Sequence, residues 1–266
     1  MDIGIFARTF SRPDLAATLD AVVDSGLATM QFNLALAGGE SMPAIREQTE
    51  RRGLTMAAVS GTYNMAHPDA GVRADGRRRL RELIAAAPAL GTRVVTLCTG
   101  SRDAGDMWRR HPDNGTPEAW RDMLESLEAA LTVAEAHAVT LAFEPEHNNV
   151  VDTAAAGRWL LDEVRSSRLK VVIDAANLFA GGDLDRQPEI LGEAFDLLGD
   201  DLVLAHAKDV RNDGTIVAAG HGDLDYDRYL ALLSEAGDDV PLILHGLSED
   251  EVPGCVAFLG ESLARR

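Results

Sequence analysis

Eight short runs of β-branched and aliphatic residues alternate along the chain with longer stretches whose apolar residues recur at helical spacing. The runs are IGIFA (3–7), TMQFN (29–33), TMAAVS (55–60), RVVTLC (93–98), VTLAFE (139–144), KVVID (170–174), LVLAHA (202–207) and PLILH (241–245). Stretches such as PDLAATLDAVVDSG, at 13–26, lie between them, and their pattern predicts helices that stop at glycine. Thr116 before Pro117, and Ser248 three residues ahead of Glu251, mark two helix starts, the second as a capping box. Strands separated by helices pair in parallel, because a parallel neighbour is reached only through a crossover connection.

Eight such units in 266 residues predict an α/β fold: a (β/α)8 TIM barrel, a closed parallel eight-stranded barrel with outer helices, for which roughly 250 residues is typical. No composition break or low-complexity linker interrupts the chain, so residues 1–266 read as a single domain. An open doubly wound sheet is the alternative. Against it, no G-x-G-x-x-G follows the first run, where a dinucleotide-binding fold needs glycines beside the pyrophosphate.

The charge excludes whole classes of partner. With 43 acidic and 25 basic residues the formal charge is -18, which repels phosphodiester backbones and anionic membranes. No nucleic-acid or membrane partner is expected. Cys98 and Cys255 sit far apart in apolar settings and read as reduced structural thiols. MDIGIFARTF carries no basic leader before a long apolar run, and no segment approaches bilayer length. A soluble cytoplasmic protein is therefore expected.

In a barrel the C-terminal strand ends converge on one mouth, where the chemistry sits. Glu144 closes VTLAFE, Asp174 closes KVVID, His206 lies in LAHAK and His245 closes LILH. Side chains alternate along a strand, so Ala142 shares a face with Glu144, Val172 with Asp174, Leu204 with His206 and Ile243 with His245. One inward register fits all four. Taken singly, a strand-end histidine is an ordinary packing residue and a strand-end aspartate an ordinary cap. Four on successive strands in one register are much harder to produce by accident. Two carboxylates and two imidazoles suit one divalent ion, Mn²⁺ first, with Mg²⁺, Co²⁺ and Zn²⁺ as alternatives. Glu146, two residues beyond Glu144 and after Pro145, is a competing ligand from the loop.

LAFEPEHNNVVDT after the fifth strand, VVIDAANLF at the sixth, HAKD at the seventh and GHGDLDYDRYL before the eighth give the chain a further resemblance. It is similar over almost its whole length to the xylose isomerase-like barrel superfamily, in particular its sugar phosphate isomerase/epimerase group. By motif, Glu144, Asp174 and His206 match that family's first three metal ligands. Its fourth is normally a glutamate at the place of His245, and Asn177 stands where many members carry a histidine. The resemblance implies an isomerase or epimerase of a small sugar, keto-sugar or related polyol, acting by proton transfer through a metal-stabilised enediolate, with Glu144 as both ligand and proton-transfer residue. His245 cannot inherit the proton-transfer task of a glutamate, because a metal-bound neutral imidazole has no free lone pair on its bound nitrogen.

Other residues extend the candidate site. Lys208, two past His206, is placed to stabilise enediolate charge or bind an anionic group; pairing with Asp209 is its alternative. His67 and Asn64, with Tyr63, lie in SGTYNMAHPD after the third strand and are candidates for substrate binding, as are Glu146 and Asn177. Trp108, in SRDAGDMWRRHPDN, offers a stacking face for a sugar-like ring, with Arg109 and Arg110 as anion binders. That loop is equally suited to an oligomer contact, which keeps a homo-oligomer in view. His221, between glycines, reads as part of a turn. The basic run RADGRRRLRE (73–82) reads as the solvated face of the third helix, since it has no aromatic platform for nucleic acid. Two rival functions stand beside the isomerase: a metal-dependent lyase, dehydratase or hydrolase, and a noncatalytic metal- or sugar-binding barrel. An endonuclease IV-type nuclease is disfavoured by the net charge and by Asn177.

Overall fold

The computed structural model describes residues 1–179, 183–237 and 239–266. Its strands are β1 (Ile3–Phe6), β2 (Thr29–Phe32), β3 (Thr55–Ser60), β4 (Val94–Cys98), β5 (Thr140–Glu144), β6 (Leu169–Asp174), β7 (Leu202–Val210), β8 (Ile216–Ala218) and β9 (Leu242–Leu244). Each of β1 to β6 is paired in parallel with the next, β7 pairs in parallel with β9, and β9 pairs in parallel with β1. The sheet thus closes into the expected barrel. All eight expected strands are present within two residues at their N-terminal ends. The strand that sequence periodicity missed is β8, which folds antiparallel onto an extension of β7, with Lys208 opposite Ala218 and Val210 opposite Ile216.

The crossovers are α1 (Leu15–Asp24), α2 (Met42–Arg51), α3 (Ala70–Leu90), α4 (Pro117–His137), α5 (Ala154–Val164), α6 (Gln187–Leu198), α7 (Tyr226–Ala236) and α8 (Val252–Ala264). Six of them start at a side chain that accepts from a free backbone N–H of the first turn: Asp14, Ser41, Asp69, Thr116, Thr153 and Asp225. The Ser248–Glu251 box forms as well, with Glu251 Oε2 accepting from Ser248 N at 2.8 Å. No helix among the described residues is long and apolar enough to cross a membrane.

Strand alternation sorts the apolar residues into two bodies. One faces out against the helices and includes Ile5, Met30, Val95, Phe143, Ile173 and Leu244. The other fills the barrel interior: Phe6, Ala58, Ala142, Val172, Leu204 and Ile243. Those interior residues include the partners assigned by alternation to Glu144, Asp174, His206 and His245, so the strand ends above them face the mouth.

The basic run 73–82 lies on α3, where Arg78 and Arg79 are exposed as expected. Arg73 departs from that expectation. It is buried, ion-paired to Asp122 at 3.1 Å and donates to His67 O at 2.7 Å, because the start of α3 tucks under the β3 loop.

Closure is tight where β1 meets β9. A Cβ on Gly4 would stand 2.7 Å from Ile243 Cδ1 and 2.7 Å from the carbonyl oxygen of Thr29. A side chain can yield, but the backbone of β2 cannot. Gly4→Ala is expected to destabilise the fold by about 1–3 kcal/mol, and Ile243→Val in the same chain to recover only part of the loss. Urea unfolding measures both.

Candidate active site

A cavity of about 540 Å³ opens at the C-terminal ends of the strands. Glu144 from β5, Asp174 from β6 and His206 from β7 bring one ligand atom each within 4.8 Å of one another, all from buried side chains. The register explains the convergence: Asp174 is the pairing partner of His206, and His206 in turn is opposite Ile243, two residues before His245.

The geometry prepares these groups for an ion. His206 Nδ1 lies 3.2 Å from Glu144 Oε2 and 3.8 Å from Asp174 Oδ2, and it is buried with no hydrogen-bond partner among the described residues. Its other nitrogen, Nε2, is 2.8 Å from Gln31 Oε1, while the Gln31 amide nitrogen donates to Thr96 Oγ1 at 3.2 Å. The amide oxygen therefore takes the Nε2 proton, leaving a lone pair on Nδ1 aimed at the carboxylates. His245 stacks on His206 with ring centroids 4.8 Å apart and on Phe6 at 5.0 Å. Its Nδ1 is also buried without a partner. Glu144, Asp174 and His206 are the residues that could hold a metal ion, and His245 is not one of the three that converge within 4.8 Å.

Lys208 does not pair with Asp209. Its Nζ lies 2.7 Å from Asp174 Oδ2, while Asp209 accepts from the backbone N–H groups of Val210, Gly220 and Leu224 and fixes the turn beyond β8. Asn177 donates to Glu144 Oε1 at 2.5 Å. A brace that sequence reasoning missed lies beneath: the buried Tyr229 hydroxyl, from α7, donates toward the carbonyls of Ile173 (3.1 Å) and His206 (3.0 Å). It ties the ligand-bearing ends of β6 and β7 together. Gln31 and Thr96 were missed too; their only signal is a polar residue inside a short apolar strand.

Electrostatics divide the carboxylates. Burial opposes ionisation of Glu144, but the His206 ring 3.2 Å away and the Lys208 ammonium outweigh it and hold the carboxyl well below the usual range. Burial and the nearby Glu144 charge push Glu146 up to about 8. Burial raises Asp174 as well, against the pull of Lys208. Lys208 is desolvated, yet Asp174 and Glu144 keep it above the ordinary lysine value. Burial and the Lys208 charge drive His245 far below the usual imidazole value, so it stays neutral.

Of the other expected residues, Trp108, Glu146, Asn177 and His245 line the cavity, with Trp108 about half exposed at its rim. Asn64 and His67 lie outside that lining, contrary to expectation. Asn64 exchanges two hydrogen bonds with the Ser101 backbone, at 2.8 and 3.0 Å. His67 spends both ring nitrogens on Ala104 O and Asp69 N. These polar groups lace their part of the β3 loop to the β4 loop, while Thr62, next to the strand, lines the cavity. Arg109 and Arg110 are paired with Asp103 and Asp152, and His221 with Glu251.

The family profile described as xylose isomerase-like TIM barrel matches residues 19–253. No functionally curated protein matches the sequence. Among solved structures, L-ribulose 3-epimerase superposes with a TM-score of 0.80 at 19% identity, covering 99% of this chain and 95% of that one. A D-tagatose 3-epimerase-like protein gives 0.79 at 16% identity, covering 100% and 98%. The IOLI protein, solved with a zinc atom, gives 0.76 at 15% identity, covering 100% and 99%. At these identities the likeness establishes the fold.

The raised Glu146 carboxyl has a sign that can be checked. Its folded value lies above the unfolded one of about 4.5, so the folded state holds an extra proton between those values. Stability of the metal-stripped protein should fall as pH rises from about 4.5 to 8. Glu146→Gln should remove that slope and leave the variant more stable than wild type at pH 9, by about 2–4 kcal/mol. Urea midpoints across that range measure it.

Proposed function

The chain belongs to the xylose isomerase-like TIM barrel family, and on that premise we propose that it is a divalent-metal-dependent isomerase or epimerase of a small sugar, keto-sugar or related polyol. The observation that carries the reading is the buried convergence of Glu144, Asp174 and the unpartnered Nδ1 of His206 on one cavity. Two structural neighbours, an L-ribulose 3-epimerase and a D-tagatose 3-epimerase-like protein, and the zinc in a third support it.

Glu144, Asp174, His206 and His245 would hold the ion, with Mn²⁺ first among Mn²⁺, Mg²⁺, Co²⁺ and Zn²⁺ for this oxygen and nitrogen set. Bound there, it supplies the Lewis acidity that polarises a substrate carbonyl. Glu144, held ionised, accepts the proton from the carbon beside that carbonyl. Glu146, protonated near neutrality, is the acid that returns one. Two carboxyl groups pushed apart by their surroundings divide the base and acid roles between them. Lys208, cationic and desolvated, stabilises negative charge as it develops on substrate oxygen. Asn177 fixes Glu144 by holding its Oε1. Trp108 offers an indole face to the carbon chain at the rim.

Both carboxyl groups rise from the β5 end, whereas β9 brings an uncharged imidazole to the other side. That arrangement favours proton return on the same face, to the neighbouring carbon, over inversion of one centre. It also makes ketose–aldose isomerisation the first reaction to try.

Metal-loaded protein incubated with a ketose panel in D₂O should place deuterium on the carbon beside the carbonyl. Chelation should abolish exchange and added Mn²⁺ restore it. Glu144→Gln should slow exchange by about 10²–10⁴-fold with the fold retained by circular dichroism. Absence of deuterium from every ketose, with metal content verified, would sink the proposal. For the metal cradle, Gln31→Leu should weaken Mn²⁺ binding by about 10–100-fold through loss of the His206 orienting bond, as read by calorimetry.

A further inference from the structure

The cavity's cations are unequally matched. Lys208 is committed to Asp174 at 2.7 Å. Arg8, which also lines the cavity, makes no ion pair among the described residues. It stands in the short 3-10 turn Ala7–Thr9 that directly follows β1. Phe6, two residues earlier, packs on His245, and β1 is hydrogen-bonded to β9, with Ile5 opposite Leu244. The backbone at Arg8 is therefore placed at the β1–β9 side of the rim by the same closure that seats His245, and its side chain is exposed there. Trp108 comes to the rim from the loop after β4.

The chain carries a formal charge of -18, and arginines elsewhere at the β4 loop are matched by acidic partners, Arg109 by Asp103 and Arg110 by Asp152. Glu144 and Glu146 line the cavity with Arg8 and Lys208, and Asp174 holds Lys208. A divalent ion would turn that balance positive even with all three carboxylates ionised. A guanidinium without a carboxylate partner, at the edge of a cavity that becomes net positive on loading, presents a planar fork for an anionic group.

We propose that the substrate is an anionic hydroxyketone, a sugar acid or sugar phosphate, whose charged end is held by Arg8 while its carbonyl end faces Glu144, Asp174 and His206. This rests on the isomerase or epimerase reading for the carbonyl end. The charged end rests on Arg8 alone. No chemistry occurs at the anion, so Arg8 is a specificity residue that positions the carbon chain.

The test uses three six-carbon ketoses that share one carbonyl end and differ at the other: D-fructose, D-fructose 6-phosphate and D-fructuronate. Calorimetric titration of the Mn²⁺-loaded protein should show tighter binding of at least one anionic member than of D-fructose, weakening with added salt. Arg8→Ala should weaken that binding by about 10–100-fold, the range for a charge-assisted hydrogen bond, and leave D-fructose within about twofold. Arg8→Lys should recover part of the loss. Preference for the phosphate or for the carboxylate identifies the source of the anion. Equal binding of all three sugars, or an anion preference that Arg8→Ala leaves intact while its melting curve matches wild type, would overturn the inference. Deuterium exchange on the same samples separates the two readings. Arg8-dependent binding without exchange counts against the isomerase assignment alone. Exchange that ignores both the anion and Arg8 counts against the inference alone.

Discussion

Everything at the mouth depends on the closure of the sheet in one register. A parallel strand exposes alternate residues to the barrel interior, so placing Ala142, Val172, Leu204 and Ile243 in the interior body sends Glu144, Asp174, His206 and His245 to the cavity above it. A slip of one residue in any strand would turn its ligand outward against the helices. At the junction of β1 with β9 Gly4 leaves no room for a side chain. The same junction carries Phe6 against His245.

Burying three carboxyl groups in one cavity is costly, and the structure manages the cost with specific neighbours. Lys208 answers Asp174 and, through space, Glu144. Asn177 neutralises no charge but fixes one Glu144 oxygen. Glu146 has no such partner and answers by holding its proton. The imidazoles remain under-satisfied at Nδ1, which is a penalty for an empty cavity and an advantage for one that holds an ion. The stabilising frame around this cluster is apolar and helical, while the groups that face substrate come from strand ends and loops. That division lets the cavity chemistry vary without disturbing the barrel.

The barrel itself was legible because two periodicities, one of 2 and one near 3.6, alternate without interruption, and because the helix caps carry local signals. The four strand-end residues could be found by alternation alone, since the side-chain direction is fixed by the strand. Motifs distinguished Asn177 as part of the same cluster. The added strand β8 escaped notice because its three residues, Ile216–Ala218, carry too little pattern and exist only as a partner for the extended β7. Asn64 and His67 were misplaced for a related reason: polar and aromatic residues in a loop after a barrel strand suit either substrate or neighbouring loop backbone, and here they meet the β4 loop.

Sequence by itself thus determined the class of fold, the order of its units and the strand-end placement of Glu144, His206 and His245 on the cavity, because local patterns of burial and strand alternation are written into nearest neighbours. Only the tertiary structure decided the partners: that Lys208 turns to Asp174 and not Asp209, that Gln31 sets the tautomer of His206 from 175 positions away, that Tyr229 braces two ligand strands, and that Arg8 stands at the rim with no ion pair among the described residues. These are contacts between distant segments, fixed by closure of the barrel, and no local spacing encodes which side chain a closed barrel will bring opposite another.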